Sequence, residues 1–183
     1  MMPSRIRPRR SSLLAALLLA VTVTGVAATT AGAARGRIAI GDSVMLGARQ
    51  QLRAKGIRVD ATVSRQFGAL PAVIRQLRRA GKLRETVIVH LGNNGYVELP
   101  DCKKAVRQAR GRTVYLVTVR VPRQWRRVNN QRLARCDRAF ARAHLIDWYT
   151  RSKSHGAWFA SDGYHLTALG AKRYAGIISR SSA

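Results

Sequence analysis

The sequence predicts an α/β protein, a three-layer α/β/α sandwich on a five-stranded, mostly parallel sheet. Three observations carry this reading. Short apolar runs rich in β-branched residues alternate with amphipathic stretches from residue 37 onward, the pattern of strands covered by helices. Amphipathic stretches close on Gly56, Gly81 and Gly111, the residue that tolerates a left-handed helix end. The run 86–91 is largely apolar without alternation, as a strand buried on both faces of a parallel sheet should be.

The elements follow in order. A first strand is expected over 37–40 and a helix over 44–55, stopped by Gly56. Residues 57–63 alternate as a second strand. Leu70, Val73, Ile74 and Leu77 share one face of a helix over 70–80, at the spacing of a core-facing stripe. A third strand over 86–91, a helix over about 101–110 and a fourth strand over 113–119 come next. Residues 126–143 read as one long, strongly basic helix, 145–148 as a short fifth strand and 169–178 as a last helix that Thr167 can cap.

A length of 183 residues suits one domain behind a targeting segment. Residues 1–34 have the anatomy of a signal peptide: Arg5, Arg7, Arg9 and Arg10 at the start, an apolar stretch from Leu13 to Ala28, and Ala31-Gly32-Ala33 as a cleavage site. That leaves 35–183 as the domain. The apolar stretch is shorter than the ~20 residues a spanning helix needs, so an uncleaved anchor is the second reading. Arg9-Arg10 hints at twin-arginine export, though Ser11-Ser12 follow where that signal is usually apolar.

The formal net charge is +26, from 34 Lys and Arg against 8 Asp and Glu. The basic residues run from Arg35 to Arg180 without one dense block, and no zinc-finger, RRM-like or basic-zipper pattern accompanies them. The charge therefore argues for a generally basic surface over a specific nucleic-acid site. A secreted or otherwise extracytoplasmic protein of this charge is held against anionic cell-wall polymers or lipid headgroups. A monomer is expected.

Cys102 and Cys136 have one possible intramolecular pairing in an oxidising compartment, the alternative being two buried thiols. His90, His144, His155 and His165 show no paired ligand spacing, so neither a metal nor another cofactor is expected. His90, inside an apolar run, reads as a core residue.

Ligands of open parallel sheets bind at the carboxyl ends of the strands, and three motifs stand there. Ile40-Gly41-Asp42-Ser43 follows the first strand and opens a helix. A serine at that turn stands at the positive end of the helix dipole with its N–H toward a developing oxyanion, although Asp42 or Ser43 can equally be a plain N-cap. Leu91-Gly92-Asn93-Asn94-Gly95 follows the third strand; it suits a tight turn, or an asparagine amide that donates to an oxyanion, a contact worth about 3 to 4 kcal/mol in the transition state. Ser161-Asp162-Gly163-Tyr164-His165 precedes the last helix, where one turn can deliver an imidazole to Ser43 and a carboxylate to the imidazole's other nitrogen.

In that order and spacing, Gly-Asp-Ser, Gly-x-Asn and Asp-x-x-His resemble blocks I, III and V of the SGNH (GDSL) hydrolase family, over essentially 37–178. The resemblance implies a flavodoxin-like SGNH fold, Ser43 as nucleophile, Asp162 and His165 as the rest of the triad, and Asn94 as the side-chain oxyanion donor. Block II departs from the family. Where a glycine usually supplies a second backbone donor, this chain has Val63-Ser64-Arg65-Gln66-Phe67-Gly68, so Ser64 takes that role or Gly68 does. Gly-Asp-Ser-Val-Met-Leu, Val-Ser-Arg-Gln, His-Leu-Gly-Asn-Asn-Gly and Val-Arg-Val-Pro-Arg-Gln-Trp are also similar to the extracytoplasmic SGNH domains of peptidoglycan O-acetyltransferases. The chain carries no multi-span acyltransferase domain, which tilts the expectation toward hydrolysis or toward a separate membrane partner.

The implied reaction is two-step acyl transfer from an ester or acetylated glycan substrate, without a cofactor. Arg65, Arg120 and Trp125 follow the second and fourth strands and can line the cleft. Arg120 can bind an anion or be a surface charge; Trp125 can stack on a sugar face or fill the core. The reading from another class is a non-catalytic polyanion-binding wall protein on the same fold.

Overall fold

The structure is a computed structural model that describes Met1 and residues 34–183. The expected signal peptide, apart from Met1 and Ala34, lies outside the described residues. Five strands, β1 (Ala34–Gly41), β2 (Ile57–Ala61), β3 (Arg84–His90), β4 (Thr113–Val117) and β5 (Ala143–Ile146), form one sheet in the order β2-β1-β3-β4-β5. Every pairing is parallel. The chain turns to opposite sides of β1 for β2 and β3, so the strand order reverses beside β1, and the crevice at its carboxyl end is where such sheets place their ligands.

Period-two alternation sends side chains to opposite faces. Ile38, Ile40, Val87, Val89, Val114 and Leu116 pack with α3 (Leu70–Arg79), α4 (Leu99–Gln108) and α5 (Arg126–Asp137). Ala39, Ile88 and Val117 face the other layer, with α1 (Ser43–Gly47), α2 (Arg49–Arg53), α6 (Trp148–Ser152) and α7 (Ala168–Ser181). The sandwich is thus the expected one, with two hydrophobic cores separated by the sheet.

Most element ends differ from expectation by one to three residues, the second and fourth strands stopping at Ala61 and Val117 instead of 63 and 119, and three differences have a clear physical reason. The helix expected over 44–55 is two short helices, because the backbone tightens at Gly47-Ala48, where the Ala48 N–H meets the Met45 carbonyl at 3.1 Å. The long basic helix ends at Asp137 instead of 143. Tight turns follow, Ala139 to Cys136 and Phe140 to Asp137, because Ala143 must pair with Val114 in the sheet. Tertiary pairing overrides a stretch with good helix formers. The fifth strand accordingly ends at Ile146, and Trp148 begins α6, capped by Asp147, which accepts from the Thr150 N–H at 3.1 Å.

Thr167 caps α7 as expected, accepting from the Gly170 N–H at 3.1 Å. Gly170 itself has to be glycine: a Cβ there would lie 1.8 Å from the Trp158 carbonyl oxygen, so only its absence lets α7 press against the 3-10 turn Gly156–Trp158. Cys102 on α4 and Cys136 on α5 form a disulfide. Among the described residues no helix is long and apolar enough to cross a membrane.

Candidate active site

The site is assembled from the loops after β1 and β3 and the turn before α7. At the end of β1, Gly41 leaves no room for a Cβ, which would meet Met45 at 2.5 Å. That contact brings α1 directly off the strand. Asp42, fully buried, caps α1 by accepting from the Val44 N–H at 3.0 Å, and its other oxygen accepts from Asn93 Nδ2 at 3.0 Å. Burial raises its pKa, opposed by the Asn93 amide, the Val44 and Asn93 N–H groups and the charge of His165. Ser43 is the first residue of α1, so its N–H is one of the amides that a helix start leaves without an intrahelical acceptor.

The turn 160–165 delivers two side chains to Ser43. Asp162 Oδ1 accepts from the N–H groups of Tyr164 and His165, each at 3.0 Å, and Oδ2 meets His165 Nδ1 at 2.6 Å. His165 Nε2 lies 2.9 Å from Ser43 Oγ. Burial alone would raise the Asp162 pKa, but the Tyr164 N–H, the His165 ring and the His165 N–H hold it below the ordinary carboxylate value. Asp162 therefore stays ionised and fixes both the tilt and the tautomer of the imidazole. The turn is closed by the Ala160 N–H on the His165 carbonyl at 2.8 Å and by a bridge between Phe159 and Leu166. Phe159 rests on Trp148, which meets Tyr174 of α7 edge to face at 5.0 Å between centroids. An aromatic floor thus fixes the turn's height over the sheet.

The loop after β3 carries Asn93 and Asn94. Asn94 Nδ2 is buried and has no hydrogen-bond partner among the described residues. Gly92 stands at φ +115, and a Cβ there would strike Val97 at 2.8 Å. The loop is shaped by Asn129 of α5, which is fully buried: its Oδ1 accepts from the Val97 N–H at 2.8 Å and its Nδ2 donates to the Gly92 and Gly95 carbonyls at 2.9 and 2.8 Å. Asn130 next to it binds both the N–H and the carbonyl of Val119 at 2.8 and 3.1 Å. One pair of asparagines on α5 therefore holds the exits of β3 and β4. Sequence reasoning missed Asn93, Asn129 and Asn130. For Asn129 a signal existed: it is four residues before Leu133, on the core-facing stripe of a helix otherwise polar and basic.

Ser64 is in the left-handed region at φ +59, a conformation that a glycine adopts without cost. Gly68 lies inside the 3-10 turn Phe67–Ala69, and a Cβ there would face Asp101 of α4 at 3.7 Å. Arg65 is anchored between the ends of β1 and β2, its Nη1 reaching the Gly41 carbonyl at 3.4 Å. Its guanidinium is tied to Asp60 Oδ1 and the Asp60 carbonyl, each at 2.8 Å, and to Thr62 Oγ1 at 2.9 Å, so it braces the end of β2. Arg120 donates to the Gly163 carbonyl and lies 3.8 Å over the Phe159 ring, directly behind the Asp162 turn. Trp125 is half-buried at the start of α5, its ring 5.8 Å from that of Tyr96, which is exposed. His90 is a core residue, fully buried with Nδ1 2.9 Å from the Tyr174 hydroxyl. No group of three or more His, Cys, Asp or Glu placed to hold a metal occurs among the described residues.

Comparison with known proteins adds relatives to this geometry. No family model matches the chain. It is 34% identical over 146 residues to the peptidoglycan O-acetyltransferase OatA of Listeria monocytogenes, covering 78% of this chain and 23% of that protein. It is 32% identical over 142 residues to the O-acetyltransferase OatA of Staphylococcus aureus, covering 76% and 24%. The chain thus spans about a quarter of the length of these curated relatives. In fold it is similar to the C-terminal catalytic domain of Streptococcus pneumoniae OatA, with a TM-score of 0.72 at 24% identity over 81% of this chain and 93% of that one. It is also similar to a family 3 carbohydrate esterase of Clostridium thermocellum, with a TM-score of 0.60 at 13% identity over 80% and 98%. In sequence the chain is thus related to these peptidoglycan O-acetyltransferases over about three quarters of its own length, and in fold its all-parallel sheet matches the catalytic domain of Streptococcus pneumoniae OatA.

Proposed function

We propose that the chain is an exported serine esterase or acyl transferase acting on O-acetyl groups of cell-wall glycans through a Ser43–His165–Asp162 acyl-enzyme. The observation that carries this reading is the continuous chain of contacts, 2.9 Å from Ser43 Oγ to His165 Nε2 and 2.6 Å from His165 Nδ1 to Asp162 Oδ2, at the carboxyl end of β1. His165 takes the Ser43 proton as Oγ attacks the ester carbonyl, and Asp162 stabilises the imidazolium. The negative oxygen of the tetrahedral intermediate is held by the Ser43 N–H, Asn94 Nδ2 and the Ser64 N–H. His165 returns the proton to the departing alcohol. Water or a sugar hydroxyl, deprotonated in its turn by His165, then accepts the acyl group and frees Ser43.

The second reading, a peptidoglycan O-acetyltransferase fed by a membrane acetyl donor, is favoured by the names of the relatives at 32% and 34% identity. It uses the same residues and differs in the donor, a membrane acetyl carrier in place of the acetylated glycan, and in the acceptor, a sugar hydroxyl in place of water. In either case the net charge, +26 for the whole sequence and four fewer, +22, without Arg5, Arg7, Arg9 and Arg10 of the leader, supports retention at an anionic wall or membrane surface outside the cytoplasm.

The test is hydrolysis of a small chromogenic acetyl ester by wild type and Ser43→Ala. Ser43→Ala is expected to lose at least about 10,000-fold in kcat while remaining folded. Undiminished turnover in that variant would overturn the assignment. Salt-sensitive polyanion binding with no ester turnover in either protein would point instead to a non-catalytic wall protein. Incubation with an acetyl donor and bare glycan, followed by mass spectrometry, separates transferase from esterase: sugar acetylation marks the first, free acetate alone the second.

A further inference from the structure

We propose that the cleft behind the 161–163 turn is a carboxylate-reading subsite, which binds an acidic group carried by the glycan whose ester Ser43 cleaves or forms. This inference rests on the enzymatic reading above and names the substrate class more narrowly. The cleft has a volume of about 420 Å³ and takes in Arg120, Arg126, Tyr149 and Lys153, with Asp162 and Gly163 forming the wall it shares with the triad.

Each arginine is pinned by neutral groups. Arg120 donates to the Gly163 carbonyl and lies flat on Phe159. Arg126 Nη1 donates to the Tyr149 hydroxyl at 2.7 Å, its guanidinium carbon 4.5 Å from the ring centre. Neither has a carboxylate partner: the ion pairs among the described residues are Arg65–Asp60, Arg132–Glu98 and His165–Asp162. The one acid on the cleft wall, Asp162, has both oxygens committed to the Tyr164 and His165 N–H groups and the His165 ring. Asp147, on the far side of Tyr149, accepts from Thr118 and Thr150. Burial, above all, presses the Arg120 pKa downward; Tyr149 opposes it, and the charge of Arg126 adds a smaller downward push.

Many cations must go unpaired in a chain with 34 basic and 8 acidic residues. What separates Arg120 and Arg126 from surface decoration is that both are half-buried, both are held rigid on aromatic faces, and both wall a concave space one residue from the catalytic carboxylate. A pre-oriented guanidinium fork matches a carboxylate in two hydrogen bonds, and Lys153 at the exposed rim adds a mobile charge. A substrate anchored there presents its ester to the other side of the same turn. The carboxylate can belong to the acylated sugar itself or to a peptide attached to it.

The experiment uses the full chain and three acetylated sugars: one with a carboxylate on the sugar, one with the carboxylate on an attached peptide, and one with that group converted to carboxamide. The carboxylate substrates are expected to exceed the carboxamide by about tenfold or more in kcat/KM, mainly through KM, with the gap narrowing as salt is raised to about 1 M. The better of the two acids identifies the source. Arg126→Gln combined with Lys153→Gln, checked for folding by thermal unfolding, leaves only Arg120 as a cation in the cleft and is expected to reduce the ratio at least about threefold. Equal kcat/KM for acid and carboxamide in the wild type, or a preference that is undiminished by the double substitution or indifferent to salt, overturns the subsite. Ser43-dependent turnover of the carboxamide ester alongside such a result leaves the enzymatic reading standing. If no ester is turned over, calorimetric titration with the sugar acid and its carboxamide still decides: equal or absent binding overturns the subsite, and binding of the acid that the double variant weakens supports it.

Discussion

Asn129 has no reacting partner of its own, yet it bonds to three backbone groups of the loop that presents Asn94. Removing its amide strands a buried N–H and two carbonyls, each worth about 1 to 3 kcal/mol unless water enters. Asn129→Ala is therefore expected to destabilise by about 2 to 4 kcal/mol in urea unfolding. If the loop positions an oxyanion donor, kcat should fall by about tenfold or more while KM changes little, since the interaction lost belongs to the transition state. An unchanged kcat in the folded variant would separate loop shape from catalysis. At this scale the ordered motifs made Ser43, Asn94, Asp162 and His165 legible, because strand ends and a turn confine where they can stand. Asn93 and Asn129 were not legible, since their importance lies in which backbone atoms they meet across 51 and 32 to 37 residues of sequence. For Arg65 the strand-end position was readable, but its bond to Asp60 was not.

Among the elements, α5 does the most to join fold to site. Through Asn129 and Asn130 it holds the exits of β3 and β4, and through Cys136 it is bonded to Cys102 of α4 across a separation of 34 residues. Closing a loop of that length removes about 3 to 4 kcal/mol of entropy from the unfolded chain. Reduction, or Cys102→Ala with Cys136→Ala, is expected to lower the unfolding free energy by about that amount, measured by urea denaturation with and without reductant. A reductant-insensitive wild type would mean that the bridge adds nothing beyond packing. The helix was recognisable from its composition, but its end was not: residues 138–142 lack a glycine or proline, and only the demand of β5 for Ala143 at Val114 stops it. Sheet order was equally out of reach of periodicity, since it depends on which strands meet.

For the whole molecule the scarcity of acids decides how stability responds to pH. With 8 Asp and Glu against 34 Lys and Arg, few carboxylates are available to be protonated, and the acid response is concentrated in a small set of groups. Burial pushes the pKa of His90 from 6.5 to about 3, so between those values the unfolded chain takes up a proton that the folded core refuses. The stabilising effect of a neutral His90 is whole above pH 6.5 and is lost as pH falls, with a slope approaching about 1.4 kcal/mol per pH unit. Asp162 and Asp147 act lower. Burial opposes their ionised forms, but hydrogen bonds outweigh it and lower both pKa values, so their contributions hold above the ordinary carboxylate value near 3.8 and are lost as pH falls through the depressed ones. Two stages are therefore expected in urea unfolding free energy, one starting near neutrality and one in strong acid. His90→Gln replaces the titrating ring with a neutral amide and should flatten the first stage while leaving the second. A first stage undiminished in His90→Gln would move the acid response away from the His90–Tyr174 contact and onto the self-repulsion of a chain whose positive charge has almost nothing to balance it.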